Sequence, residues 1–112
     1  MNQNTQTGGP VVVHQLAGRI DTSTSPAVEA AIKAKLAEGN TRILLDMREV
    51  TYVSSAGLRV VLLVAKQAKA ANGSLALFGL QPSVREVFDI SGFGKIIPIA
   101  AGEAEARALI GA

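Results

Sequence analysis

The 112-residue chain contains no cysteine and no tryptophan, and only one tyrosine, three phenylalanines and one histidine. Without cysteine there is no thiol nucleophile, disulfide, redox pair or thiolate metal site. The remaining chemistry is that of carboxylates, hydroxyls, amines and the imidazole of His14. Charge is sparse as well, at 18% of residues. Eleven Lys and Arg against nine Asp and Glu leave a net +2, and the basic residues are scattered from Arg19 to Arg107. That distribution makes no concentrated field and argues against a nucleic-acid partner. Long apolar runs are missing too. The charge-free stretch from Val60 to Ala65 falls far short of the ~20 residues that cross a bilayer, so direct membrane insertion is not expected. Met1 to Gly9 is polar and uncharged, without the basic and apolar regions of a secretory signal, and the expected location is the cytoplasm.

Hydrophobic residues make up 48% of the chain, enough for one core. A chain of this length has room for two packed layers but not for separate cofactor and substrate domains. Val11 to Ala17 is β-rich between Gly9-Pro10 and Gly18 and predicts a strand, while Asn2 to Thr7 is a weak edge strand or a tail. Thr22 to Ser25 offers capping hydroxyls before Pro26, and Val28, Ile32 and Leu36 recur every four residues, predicting a helix that ends near Glu38 at Gly39-Asn40. Ile43 to Leu45 is a continuously apolar central strand. Met47 to Val53 then leads into Ser54-Ser55-Ala56-Gly57 and a second helix reaching about Ala71. On that helix Leu58, Val61, Leu62, Ala65 and Lys69 share one face, whereas Val60 and Leu63 point away from it. After the Asn72-Gly73 turn come a strand over Ser74 to Phe78 and a short helix carrying Val84, Val87 and Phe88, stopped at Ser91 to Gly94. A short strand over Lys95 to Ile99 and a helix over Glu103 to Ile110 follow. Strands alternating with helices at this spacing predict an α/β domain.

Tyr52-Val53-Ser54-Ser55-Ala56-Gly57-Leu58-Arg59 places two hydroxyls and two small residues between a strand and an apolar helix. One reading is a helix cap, with Ser54 or Ser55 accepting from an orphan N–H. The other is an exposed serine at a helix N-terminus, where free N–H groups and the helix dipole tolerate a phosphate. A hydrolase does not fit, because the segment is not G-x-S-x-G and His14 is the only histidine. Gly92-Phe93-Gly94-Lys95 lacks the spacing of a phosphate-binding loop. Asp21, Asp46, Asp89 and His14 are too dispersed to form a metal site, and no cofactor is implied.

The order of elements resembles the STAS domain of bacterial anti-sigma factor antagonists. So do Gly18-Arg19-Ile20-Asp21, Leu44-Leu45-Asp46, the Tyr52 to Arg59 segment, Asn72-Gly73 and Val87-Phe88-Asp89-Ile90-Ser91-Gly92-Phe93. The resemblance implies one STAS domain over residues 11–112, with a polar tail or weak edge strand over 1–10. It implies an α/β fold with a mixed sheet of four or five strands and about four helices mainly on one face. It also implies a non-enzymatic partner switch: the unphosphorylated domain binds a serine-kinase anti-sigma factor, the kinase phosphorylates it, and a PP2C-type phosphatase restores it. The family's usual segment is Asp-Ser-Ser/Thr-Gly-Leu. Matched on Gly57-Leu58, the phospho-acceptor falls on Ser55, the preceding aspartate on Ser54 and the second hydroxyl on Ala56. Asp21 and Asp46 match the two strand-end aspartates. With Ser54 in place of the acid, kinase recognition can change or Ser54 can share the modification. The expected partner surface comprises Asp21, Thr22, Ser54, Ser55, Ala56, Gly57, Arg59, Val60 and Leu63. Val60 and Leu63 either extend that surface or lie under a neighbouring helix such as the one from Ser83 to Phe88. Asp21 either meets the partner or caps Ser23-Thr24. Two other roles use the same fold: a regulatory or assembly subunit of a lipid-transport ABC complex, and a switch with a non-transcriptional output. The free protein is expected to be mainly monomeric.

Overall fold

The structure, a computed structural model, describes residues 11–110. The elements run β1 (Val11–Ile20), α1 (Ser25–Ala37), β2 (Arg42–Val53), α2 (Ser55–Ala70), β3 (Ser74–Phe78), α3 (Pro82–Ile90), a 3-10 turn (Phe93–Lys95), β4 (Ile99–Ala100) and α4 (Glu103–Leu109). The strands lie in the order β1-β2-β3-β4, and every pairing among the described residues is parallel. The sheet is therefore four-stranded and parallel there rather than mixed. The Asn2 to Thr7 edge strand and the Gly9-Pro10 turn lie outside the described residues.

Why β2 reads as an unbroken apolar run follows from its neighbours on both faces. Ile43, Leu45, Met47 and Val50 join one core with Ile32 of α1, Val61 and Val64 of α2, and Val84 and Phe88 of α3. Leu44 turns the other way, to Ala76, Phe78 and Ala100, and is covered by Ala106 of α4 and by Ile110. Three helices thus cover one face and α4 the opposite one.

Two strand limits differ from the sequence expectation. Gly18 does not end β1: at φ +73° it adopts a conformation costly for other residues, the pairing register shifts on both sides of it, and the strand continues to Ile20. The last strand is confined to Ile99–Ala100 instead of running from Lys95. The N–H groups of Ile96 and Ile97 both donate to the Phe93 carbonyl, at 2.9 Å each, and Pro98 has no N–H to give. That backbone is committed to the turn before it can join the ladder.

Candidate functional site

The end of β1 and the start of α2 are built as one unit. Ile20 pairs with Val53 in the last register step of β1 and β2. One residue further, the Ser54 N–H donates to the Ile20 carbonyl at 2.9 Å. Helix α2 then crosses that carbonyl so closely that a Cβ on Gly57 would lie 2.6 Å from the Ile20 oxygen and 2.9 Å from Ile20 Cγ2. Glycine at this position is a condition of the approach, which sets the first turn of α2 beside the loop that follows β1.

The paired serines divide the two roles open to them. Ser54 is the N-cap: its backbone is extended and its Oγ accepts from the Gly57 N–H at 3.2 Å. Ser55 is the first helical residue and is exposed, and its hydroxyl has no hydrogen-bond partner among the described residues. Arg59, one turn further along α2, is also exposed and makes no hydrogen bond or ion pair among the described residues. Leu63 continues the stripe at 37% exposure.

Across the junction, Asp21 organises its own loop. Its Oδ1 accepts from the Ser23 hydroxyl at 2.8 Å, the Ser23 N–H at 3.1 Å and the Thr24 N–H at 3.3 Å. The Thr24 hydroxyl closes the loop from the other side, donating to the Arg19 carbonyl at 2.8 Å and accepting from the Asp21 N–H at 2.8 Å. These bonds, the Ser23 hydroxyl's foremost, hold the Asp21 carboxyl below its ordinary 3.8. Asp21 thus caps the Ser23-Thr24 turn that precedes α1, with Oδ2 left 3.5 Å from Arg19 Nε. Thr22 stands exposed at the loop tip.

Two of the expected contact residues are buried. Gly57 is enclosed by Ile20 and Val53, and Val60 is only 9% exposed. Helix α1 packs along α2, so the open stripe of α2 is narrower than the apolar periodicity suggests. Ala56 is half-buried. Asp46 is not at a strand end: it lies within β2, 3% exposed, where the Arg48 guanidinium grips it through Nε at 3.0 Å and Nη2 at 2.8 Å. It belongs to the α4 side of the sheet and is not joined to the serines.

Arg19 and Tyr52 were missed by sequence reasoning. The strand register places them opposite one another, and the Arg19 guanidinium lies 4.2 Å from the centre of the Tyr52 ring. Tyr52 is 42% exposed, so the pair adds a polar and aromatic flank to the site. Ser55 and His14 are not brought together. His14 pairs with Leu45 in the middle of the sheet, whereas Ser55 lies beyond the last residue of β2. Among the described residues no group of three His, Asp or Glu side chains could hold a metal, and no helix is long and apolar enough to cross a membrane.

This element order, with an exposed serine opening the second helix, coincides with a match to the STAS domain model over residues 2–106. The chain belongs to the STAS domain family. The STAS protein is 48% identical over 85 residues to BtrV of Bordetella bronchiseptica, whose name assigns it as an anti-sigma factor antagonist, covering 76% of this chain and 73% of BtrV. It is 33% identical over 90 residues to the anti-sigma-B factor antagonist of Listeria monocytogenes, covering 80% and 79%. Among solved structures it is similar to the anti-sigma factor antagonist SpoIIAA. The unphosphorylated form superimposes with a TM-score of 0.75 at 25% identity, covering 96% of this chain and 95% of that one. The phosphorylated form of Bacillus SpoIIAA gives 0.67 at 26% identity, with 96% of each chain covered.

Proposed function

We propose that this STAS protein is a cytoplasmic anti-sigma factor antagonist that works by partner switching, with Ser55 as the phosphorylated residue. The observation that carries the reading is the division of labour between the serines. Ser54 spends its oxygen on the helix cap, while Ser55 presents a free hydroxyl at the first position of α2. The relatives named as antagonists, and the existence of SpoIIAA in both forms, support it.

In the unmodified state the Ser55, Arg59 and Leu63 stripe, flanked by Asp21 and Thr22, docks a serine-kinase anti-sigma factor. The kinase holds ATP. The Ser55 oxygen bonds to the γ-phosphorus, the bond from that phosphorus to the β–γ bridging oxygen breaks, ADP leaves, and the hydroxyl proton passes to a base of the kinase. The phosphate adds roughly −1.5 to −2 charges at the contact centre, where desolvating it opposes docking. A PP2C-type phosphatase returns the hydroxyl by hydrolysis: a water oxygen bonds to phosphorus, the bond from phosphorus to the Ser55 oxygen breaks, that oxygen takes up a proton, and inorganic phosphate leaves.

Pull-down with wild type and Ser55→Asp as baits, joined to fragment mass analysis of protein exposed to the recovered kinase and ATP, tests this. An ATP-dependent kinase held by wild type and lost from S55D, with the phosphate on Ser55, is expected. Modification elsewhere, or equal recovery by both baits, would overturn the proposal.

A further inference from the structure

We infer that phosphorylation of Ser55 folds Arg59 onto the phosphate, so that the modification withdraws a cation from the docking stripe while adding an anion to it. This rests on the reading of Ser55 as the phosphorylated residue. Ser55 opens α2 and Arg59 stands four residues later, a spacing that brings Cβ atoms to about 5–6 Å on one helix face. The acidic member comes first in sequence, the favoured order for such a pair.

The molecule already contains the arrangement that the phosphate would create. Helix α4 opens on Glu103, and Arg107, four residues on, donates to Glu103 Oε2 through Nε at 3.0 Å and through Nη2 at 2.8 Å. In phosphoserine the phosphorus stands as many bonds from Cα as Cδ does in glutamate. A phosphate on Ser55 therefore places its oxygens relative to Arg59 as the Glu103 carboxylate is placed relative to Arg107, with more charge and three acceptors. Other arginines are committed: Arg19 lies against Tyr52 and Asp21, and Arg48 is paired with Asp46. Arg59 has no competing partner among the described residues.

The test uses the full chain carrying phosphoserine installed at position 55 by genetic encoding, so that no kinase is needed, in wild-type, Arg59→Lys and Arg59→Gln backgrounds. The phosphorus NMR shift is followed against pH. A free phosphoserine has its second pKa at about 6. Wild type and R59K are expected to titrate roughly 0.2–0.4 unit below R59Q, as an added i,i+4 ion pair requires. The difference should fade at ~1 M salt. Coincident titrations for wild type and R59Q would overturn the clamp even where a kinase modifies Ser55. A kinase that leaves Ser55 unmodified would overturn the switching proposal, while the titration still decides the clamp.

Discussion

Replacing Gly57 by alanine should separate the stability of the domain from the geometry of its site. The new Cβ would meet the Ile20 carbonyl oxygen at 2.6 Å, Ile20 Cγ2 at 2.9 Å and Val53 Cγ1 at 3.0 Å. Two of the three are interior side-chain atoms and one is backbone, so none can swing aside into solvent. To restore the 3.4 Å of ordinary contact, the first turn of α2 must retreat from β1 by about 0.8 Å. Overpacking of this kind costs about 1–3 kcal/mol, and the better helix propensity of alanine returns up to about 1 kcal/mol. The net loss, about 1–2 kcal/mol, lowers the midpoint of thermal unfolding by roughly 4–8 °C for a domain of this size. Gly73→Ala is the matched control: it sets a Cβ against the Thr41 backbone at the opposite end of α2 and destabilises without touching the Ser54 junction. Calorimetry should show both variants destabilised. Amide spectra should show the Asp21 to Thr24 loop and Ser55 displaced only in G57A. An unshifted midpoint in G57A, or equal disturbance of the loop by both variants, would refute the claim that glycine is required by the close crossing.

Three further outcomes follow from local contacts. Ser54→Ala removes the cap on the Gly57 N–H and should cost about 1 kcal/mol in denaturant unfolding, with Ser55 still the residue modified. The Arg48 guanidinium holds the Asp46 carboxyl below its ordinary 3.8, so its contribution is complete above that pH and is lost as pH falls through the lower folded-state value. Asp46→Ala should lose about 1–3 kcal/mol at pH 7 and show a shallower acid limb in unfolding midpoints measured from pH 6 to 2. Burial, with Lys35 nearby, lowers the pKa of His14 from 6.5. Protonation therefore favours the unfolded chain, and stability falls as pH drops below 6.5; His14→Gln should remove that component of the pH dependence.

Local chemistry made much of this fold legible. The Asn72-Gly73 turn and the alternating residues after it predict β3 over the five positions it occupies, and the short helix expected from Ser83 to Phe88 lies within α3 (Pro82–Ile90). The serine pair likewise announces both a cap and an exposed hydroxyl. Tertiary context supplied what the chain alone did not show. Gly18 looks like a strand end because glycine usually breaks a run, yet its positive φ bends β1 without stopping it. Val60 points away from the main apolar stripe by helical angle, and its burial depends on packing that no single-helix pattern encodes. Asp46 matches a motif position, but the parallel neighbours on either side of β2 place it within the sheet and Arg48 claims it. The Arg19–Tyr52 contact arises from the register of two strands separated by α1 and is invisible to a linear reading.

Under the proposed switch, a phosphate on Ser55 dissociates the docked kinase. Titration calorimetry of that kinase against the full-length protein, unmodified and phosphorylated at Ser55, measures it directly. Affinity for the phosphorylated form should be weaker by more than about tenfold, since a charge is forced into the contact centre; equal affinity for the two forms would overturn the switch.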